Sequence, residues 1–437
     1  MSAKNRNIFI CVSIIAALIL TGVFVFIRTR TITLEIGLFA GSNWGVANSD
    51  SYSIVDNVIK SFEEEHPGVK VHYESGIRKD DYSEWYAEKV LQGKTPDVAV
   101  VLPEDLNQLI SLGVLEDITP LIAGDYSFDQ RRFYSTAFNA GRSGNRQYAL
   151  PYEAVSDLMF VNKSLLAENG ISVPEYNWTW DDLYSICEKV TKDRNGDGVP
   201  ESFGIYNYTW ENAVYANNGR LFDDTGTECF FTDKEVSEAV RFISRLYGLN
   251  SGHTVTQAEF DAGQVAFMPL SFAEYRTYKT YPYKTKKYSS FRWDCITMPG
   301  GPRGFNRSEV NTLLMGISRR SRYKQLSWEL LKKFTYDYET QMNVYRYSRG
   351  ASVLRSVTVS REAEKMLEES TGEGNPSVDL SLMDQILENG VTVQRFLKYD
   401  EVMSYADNEI NRIIREEKNV DSTLKIIQRN VQNILRR

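Results

Sequence analysis

Apolar and polar residues alternate along Thr33-Leu34-Glu35-Ile36-Gly37-Leu38-Phe39, which reads as a first strand. From Ile54 to Glu65 the apolar positions Ile54, Val55, Val58, Ile59 and Phe62 recur at helical spacing and predict an amphipathic helix. His66-Pro67-Gly68 ends it, and Val69-Lys70-Val71-His72-Tyr73 begins a second strand. A helix from about Tyr82 to Leu91 and a strand over Pro96 to Val101 complete a β-α-β-α-β run, the pattern of an α/β fold. Farther on, the β-like run Tyr148 to Tyr152 breaks at Pro151. It resumes as the apolar stretch Leu158 to Val161 and gives way to a short helix, Ser164 to Glu168, ended by Asn169-Gly170. From Leu380 the pattern is helical. The final stripe Leu424, Ile426, Ile427, Val431, Ile434 and Leu435 is expected to face the core rather than a membrane or a partner.

The break at Pro151 between two strands displays polar and aromatic side chains. With Asp157-Leu158-Met159-Phe160-Val161-Asn162-Lys163 it resembles the first crossover of the extracellular solute-binding proteins, the sugar-binding family that delivers ligand to ABC importers. The Phe62-Glu63-Glu64 and His66-Pro67-Gly68-Val69-Lys70-Val71 spellings and Thr95-Pro96-Asp97-Val98 are similar to the same family. So, in order, are Trp178-Thr179-Trp180-Asp181-Asp182, Asn218-Gly219-Arg220-Leu221-Phe222, Gly263-Gln264-Val265-Ala266-Phe267-Met268, Met298-Pro299-Gly300-Gly301-Pro302 and Gly316-Ile317-Ser318. The resemblance implies an α/β, two-lobe periplasmic-binding-protein-like fold of type II with a hinge between the lobes. Crossovers are expected near Pro151, near Pro269-Leu270-Ser271-Phe272 and after Gly316. The first lobe would then hold residues 33–150 and about 271–318, and the second 151–270 and about 319–437.

A chain of 437 residues is long enough for two or three domains, and its 25% charged and 42% hydrophobic content is that of a folded protein. A net charge of -8 with dispersed Lys and Arg argues against a nucleic-acid partner, and the basic cluster Lys284 to Lys287 reads as a solvated loop. Cys11, Cys187, Cys229 and Cys295 share no close spacing, so buried thiols are expected rather than a disulfide framework or a zinc site. His66, His72 and His253 are too dispersed for a metal cluster or a Ser-His-Asp triad. At the N-terminus, Lys4 and Arg6 precede an uncharged run from Ile8 to Ile27, followed by Arg28 and Arg30. That run is long enough to span a bilayer and lacks a small-residue cleavage site, so residues 1–32 are expected to be an uncleaved, single-pass signal-anchor with the body extracellular.

Asp193, Asn195 and Asp197 alternate before Val199 and Glu201, with Gly196 at the turn. This is the first half of a calcium loop, or equally a plain Asn-Gly, Asp-Gly turn, since Gly204 stands where the closing Glu would be. No cofactor is required; calcium would be structural.

A sugar asks for aromatic faces against its C–H surfaces, and for amides and carboxylates against its hydroxyls. The ligand-binding candidates, raised by the cleft location the resemblance implies, are Asn43, Trp44, Glu104, Tyr152, Glu153, Trp210, Glu211, Asn212, Phe272 and Glu274. Trp44, Tyr152 and Trp210 lead; Trp178, Trp180, Trp293 and Trp328 read as structural.

The expected function is capture of a mono- or oligosaccharide by a monomer and its delivery to ABC permease subunits, without catalysis. The competing readings are a ligand sensor for a membrane kinase and an extracellular carbohydrate-active enzyme with Glu153 and Glu211 as acid and base.

Overall fold

The computed structural model describes residues 31–280, 291–369, 378–393, 395–416 and 418–436. The anchor expected over residues 1–32, together with Cys11, and the cluster Lys284 to Lys287 lie outside the described residues, apart from the last two residues of the anchor. Among the described residues no helix is long and apolar enough to cross a membrane.

Ten strands are formed among the described residues: β1 (Ile32–Gly37), β2 (Val69–Tyr73), β3 (Val98–Val101), β4 (Arg142–Ser143), β5 (Arg146–Gln147), β6 (Ala149–Asn162), β7 (Phe203–Ile205), β8 (Val265–Ser271), β9 (Trp293–Ile296) and β10 (Val310–Ile317). The main sheet runs in the order β2-β1-β3-β10-β6-β8-β7, and β9 pairs with β6 as well. β1 lies parallel to β2 and β3, joined through the helices Ser53–Glu65 and Lys79–Leu91, as the β-α-β-α-β pattern predicts.

The long strand β6 belongs to both lobes. Its residues from Ala149 to Ser156 pair with β10, and those from Asp157 to Asn162 pair with β8 and β9. The waist between the lobes therefore falls at Ser156 and Asp157. Two serine hydroxyls tie it: Ser156 Oγ donates to the Glu309 carbonyl at 2.8 Å and Ser308 Oγ to the Asp157 carbonyl at 2.9 Å. A further segment joins them, since the Val310 amide donates to the Val391 carbonyl at 2.8 Å and the Val391 amide to that of Ser308 at 2.9 Å.

The period-two pattern of β6 explains how its second half is covered on both faces. Leu158 and Phe160 enter one core with Met268, Leu270 and Trp293, while Met159 and Val161 enter the other with Phe267, Trp178 and Trp210. Of the C-terminal stripe, Leu424, Ile427 and Val431 are buried in the second core and Ile434 and Leu435 pack against it, while Ile426 faces solvent. Cys187 and Cys229 are buried free thiols, and Cys295 is buried.

The division of the chain differs from the expected one in two places. β9 pairs with the second-lobe half of β6, so residues 293–296 do not stay with the first lobe. The helices Lys324–Thr335 and Tyr338–Tyr347 place Trp328, Leu331, Val344 and Tyr345 in the first core, with Leu34, Val58 and Phe62. Beyond these helices the chain packs against the second core at Val391 and Val393 and is buried in it from Phe396 onward. An apolar stripe states that a helix has a buried face but not which lobe buries it.

Candidate functional site

The structure gathers the candidate residues into two groups and sends two of them into the core. The first group forms where the loop after β1 meets β6. Leu314 of β10 pairs with Pro151 and Leu313 with Glu153, so Tyr152 is the extra residue of a β-bulge. Pro151 has no amide to donate, and the bulge re-aims the side chains that follow it. Tyr152 and Glu153 consequently line one small cavity with Asn43, Ser42, Tyr347 and Ser348.

Glu153 is 4% exposed and acts as a clasp. Its Oε1 accepts from Trp44 Nε1 at 2.8 Å and from the Gly350 amide at 2.5 Å, and it also accepts from Ser348 Oγ. A Cβ on Gly350 would stand 2.3 Å from that oxygen, so only glycine lets the backbone approach this closely. Burial raises the carboxyl's pKa, against the pull of its donors and of the Arg276 charge. Arg276 itself, 5% exposed, donates to the carbonyls of Val344, Tyr345 and Gly350, and burial brings its guanidinium down to about 10. Asn43 Oδ1 is buried without a hydrogen-bond partner among the described residues, while the Asn43 carbonyl accepts from Lys79 Nζ at 2.7 Å. The cavity offers about 50 Å³, room for a few waters at the ~10–15 Å³ each needs, and not for a sugar ring.

The second group surrounds the waist, with carboxyls supplied by each segment that meets there. Asp157 on β6 accepts from Asn212 Nδ2 at 3.2 Å, and burial, with Glu309 and Glu274 nearby, pushes its carboxyl up to about 7. Glu211 stands in the first turn of the helix Trp210–Ala216, whose start is fixed by a reciprocal cap between Thr209 and Asn212. Burial, helped by Asp407 and Glu309, pushes Glu211 up to about 7 as well. Burial also raises Glu309, which pairs with Arg395 at 3.4 Å. Arg395 lies 4.9 Å over the Tyr399 ring, its carbonyl accepts from Asn107 Nδ2 at 3.2 Å, and the Glu104 charge helps raise its pKa. Glu274 caps the helix Phe272–Thr280 by accepting the Ser271 amide at 2.7 Å and hydroxyl at 2.9 Å.

Glu104, Glu211, Asn212 and Glu274 therefore reach one neighbourhood, and Asn43, Trp44, Tyr152 and Glu153 another. Trp210 and Phe272 are buried, at 2% and 0% exposure. Trp210 packs in the second core with its Nε1 held by Asp407 Oδ1 at 3.0 Å, and Phe272 stacks on Tyr275. The four tryptophans expected to be structural are buried; Trp180 stacks on Phe242 at 4.4 Å and Trp328 Nε1 donates to Asp125 at 2.9 Å. Asp157, Glu309, Arg395 and Asp407 were missed. Asp157 carried a signal, as an ionisable residue opening an apolar strand, whereas the other three lie in segments whose local pattern marks nothing.

Chemically, the waist offers half-buried carboxyls that can accept or donate hydrogen bonds near neutral pH, beside one guanidinium and an amide. Such a set suits a polyhydroxylated ligand. Among the described residues Glu153 and Glu211 share no hydrogen-bond partner, and Glu153 Oε1 is already taken up by three donors.

In the 193–201 loop, Asp193 accepts the Gly196 and Gly198 amides at 2.6 and 2.8 Å, and Asp197 accepts that of Val199 at 2.8 Å. Asn195 accepts the Asp197 amide at 2.8 Å, and Glu201 accepts that of Arg194 at 2.6 Å. Among the described residues no three His, Cys, Asp or Glu side chains are gathered to hold a metal, and the loop in this arrangement is a set of Asx turns.

A family model described as bacterial extracellular solute-binding protein matches residues 57–366. Solved structures share the fold. The sugar-binding protein MalE from Xanthomonas citri is 17% identical with a TM-score of 0.74, over 92% of this chain and 97% of that one. The cyclic alpha-maltosyl-1,6-maltose binding protein from Arthrobacter globiformis is 14% identical with a TM-score of 0.75, over 93% and 99%. An ABC substrate-binding protein from Listeria monocytogenes in complex with cycloalternan is 18% identical with a TM-score of 0.66, over 93% and 99%.

Proposed function

The chain belongs to the bacterial extracellular solute-binding proteins, and we propose that it captures a carbohydrate between its lobes and delivers it to the permease of an ABC importer. The observation that carries this reading is the waist, where Asp157, Glu211, Glu309 and Arg395 from separate segments converge beside the crossing strands. The saccharide ligands printed for structures of the same fold support the class of ligand. Binding of this kind requires no catalytic group, and the family is one of binding proteins.

A thermal-shift screen of the full chain against mono- and oligosaccharides tests it. A ligand at a hundred times its Kd is expected to add about 2.7 kcal/mol of stability, a rise of a few degrees. The Asp157→Ala variant should lose that shift while keeping its own melting transition. A blank across all saccharides would end the carbohydrate reading and leave another solute class.

Two finer proposals accompany it. Residues 1–32 anchor the extracellular body, which is tested by the mass of the mature protein: loss of those residues refutes an uncleaved anchor. Calcium at the 193–201 loop rests on its oxygen donors alone, and binding would require Asp193 and Asp197 to turn from the amides they now cap. Calcium returned to chelated protein should then raise the melting temperature by a few degrees, and an unchanged transition refutes the ion.

A further inference from the structure

We infer that the end of the first lobe farthest from the waist is a membrane-facing surface that rests on anionic lipid headgroups. At this end the helix Lys79–Leu91 runs into the turn at Gly93, and the helix Pro103–Ser111 into the turn at Gly113. Each turn presents a leucine to solvent: Leu91 is 88% exposed and Leu112 66%. A single exposed leucine needs no explanation. These two, however, stand beside adjacent arginines. Arg319 Nη1 comes within 3.2 Å of where a Cβ on Gly113 would lie, and Arg320 Nη1 within 3.6 Å of the same point on Gly93.

Lys94, Arg319, Arg320 and Arg322 are all exposed, and none of them makes an ion pair among the described residues. The neighbouring Lys324 differs, being held by Glu116 at 2.5 Å. An unneutralised basic patch with two apolar tips stands out on a chain whose net charge is -8. Headgroup phosphates would take the arginines and lysine, and the interfacial region would take the leucines.

The course of the chain identifies the occupant as a bilayer. β10 ends at Ile317 opposite Val98, the first residue of β3, and the arginines follow directly. β1 is parallel to β3 with Ile36 opposite Val98, so β1 begins four residues earlier, roughly 13 Å farther out at the same end. The chain thus enters the first lobe at this surface. Immediately before it in sequence come Arg28 and Arg30, and before those the uncharged run Ile8 to Ile27. A segment of that length and composition places its flanking arginines at headgroup level. The inference rests on the anchor proposal, because the anchor is what sets the distance between this surface and the lipid.

The test is hydrogen exchange on the full chain reconstituted into vesicles of phosphatidylcholine alone and of phosphatidylcholine with about a third phosphatidylglycerol. Amides of residues 91–94, 112–114 and 318–322 are expected to exchange several-fold more slowly in the anionic vesicles, and the Arg319→Glu/Arg320→Glu variant should lose that difference. Equal exchange in the two lipids, or protection that survives the double variant, would overturn the inference. Chain that stays in the supernatant with both lipids removes the anchor and this surface together, whereas vesicle-bound chain with an unprotected surface removes the surface alone. Protection that appears without vesicles and grows with protein concentration would assign the patch to a second copy of the chain, also against the inference.

Discussion

Replacing Glu153 by alanine is expected to lower the unfolding free energy by about 3–5 kcal/mol, because three donors lose their acceptor and a buried guanidinium loses a compensating charge at once. The carboxylate ties the loop at Trp44, the bulge of β6 and the backbone at Gly350 into one unit. Glu153→Gln keeps an acceptor oxygen and should cost markedly less. Gly350→Ala drives a Cβ to 2.3 Å from Glu153 Oε1 and should behave like the alanine variant at Glu153. Urea unfolding followed by tryptophan fluorescence measures all three. If Glu153→Ala unfolded within 1 kcal/mol of the wild type, the clasp would be a surface contact and the reading of this region would be wrong.

The second large effect is a dependence of stability on pH. Asp157 and Glu211 are both pushed up to about 7, chiefly by burial, from ordinary values near 4. Between those values the folded state binds more protons than the unfolded state, so stability is present below about pH 4 and falls as pH rises through 7. Each group withdraws up to about 4 kcal/mol across that window, and less where solvent reaches the carboxyl. The ligand-free protein should therefore be more stable at pH 5 than at pH 7.5. Asp157→Asn and Glu211→Gln should flatten that slope and raise stability at pH 7.5. Melting curves across this range decide it: a slope of the opposite sign, or one unchanged in the double variant, removes the waist as its source.

Much of the first group was legible from the chain itself. Pro151 at a strand break announces an irregularity, and an aromatic and a carboxylate directly after it are well placed to be displayed there. Even so, the outcome was a packed clasp rather than an open surface, because Gly350 and Ser348, two hundred residues away in sequence, close over Glu153. At the waist, Glu211, Asn212 and Glu274 were nominated as residues at helix starts, where polar side chains cap backbone amides. Trp210 shared that local context yet turned inward. A helix start fixes backbone direction, but the hydrogen-bond partner, here Asp407, fixes where the ring goes.

By itself the sequence determined the alternating strands and amphipathic helices of the first lobe, the buried face of the C-terminal helix and the family resemblance, all carried by periodicity and short spellings within a few residues. Tertiary structure alone decided that helices 324–335 and 338–347 complete the first lobe, that β9 joins the second, and that Asp157, Glu211, Glu309 and Arg395 meet. It also decided the elevated carboxyls, since a pKa depends on burial and on charges brought close in space. Hydrophobic patterning reports whether a face is covered, while its partner is set by long-range pairing that no local window contains.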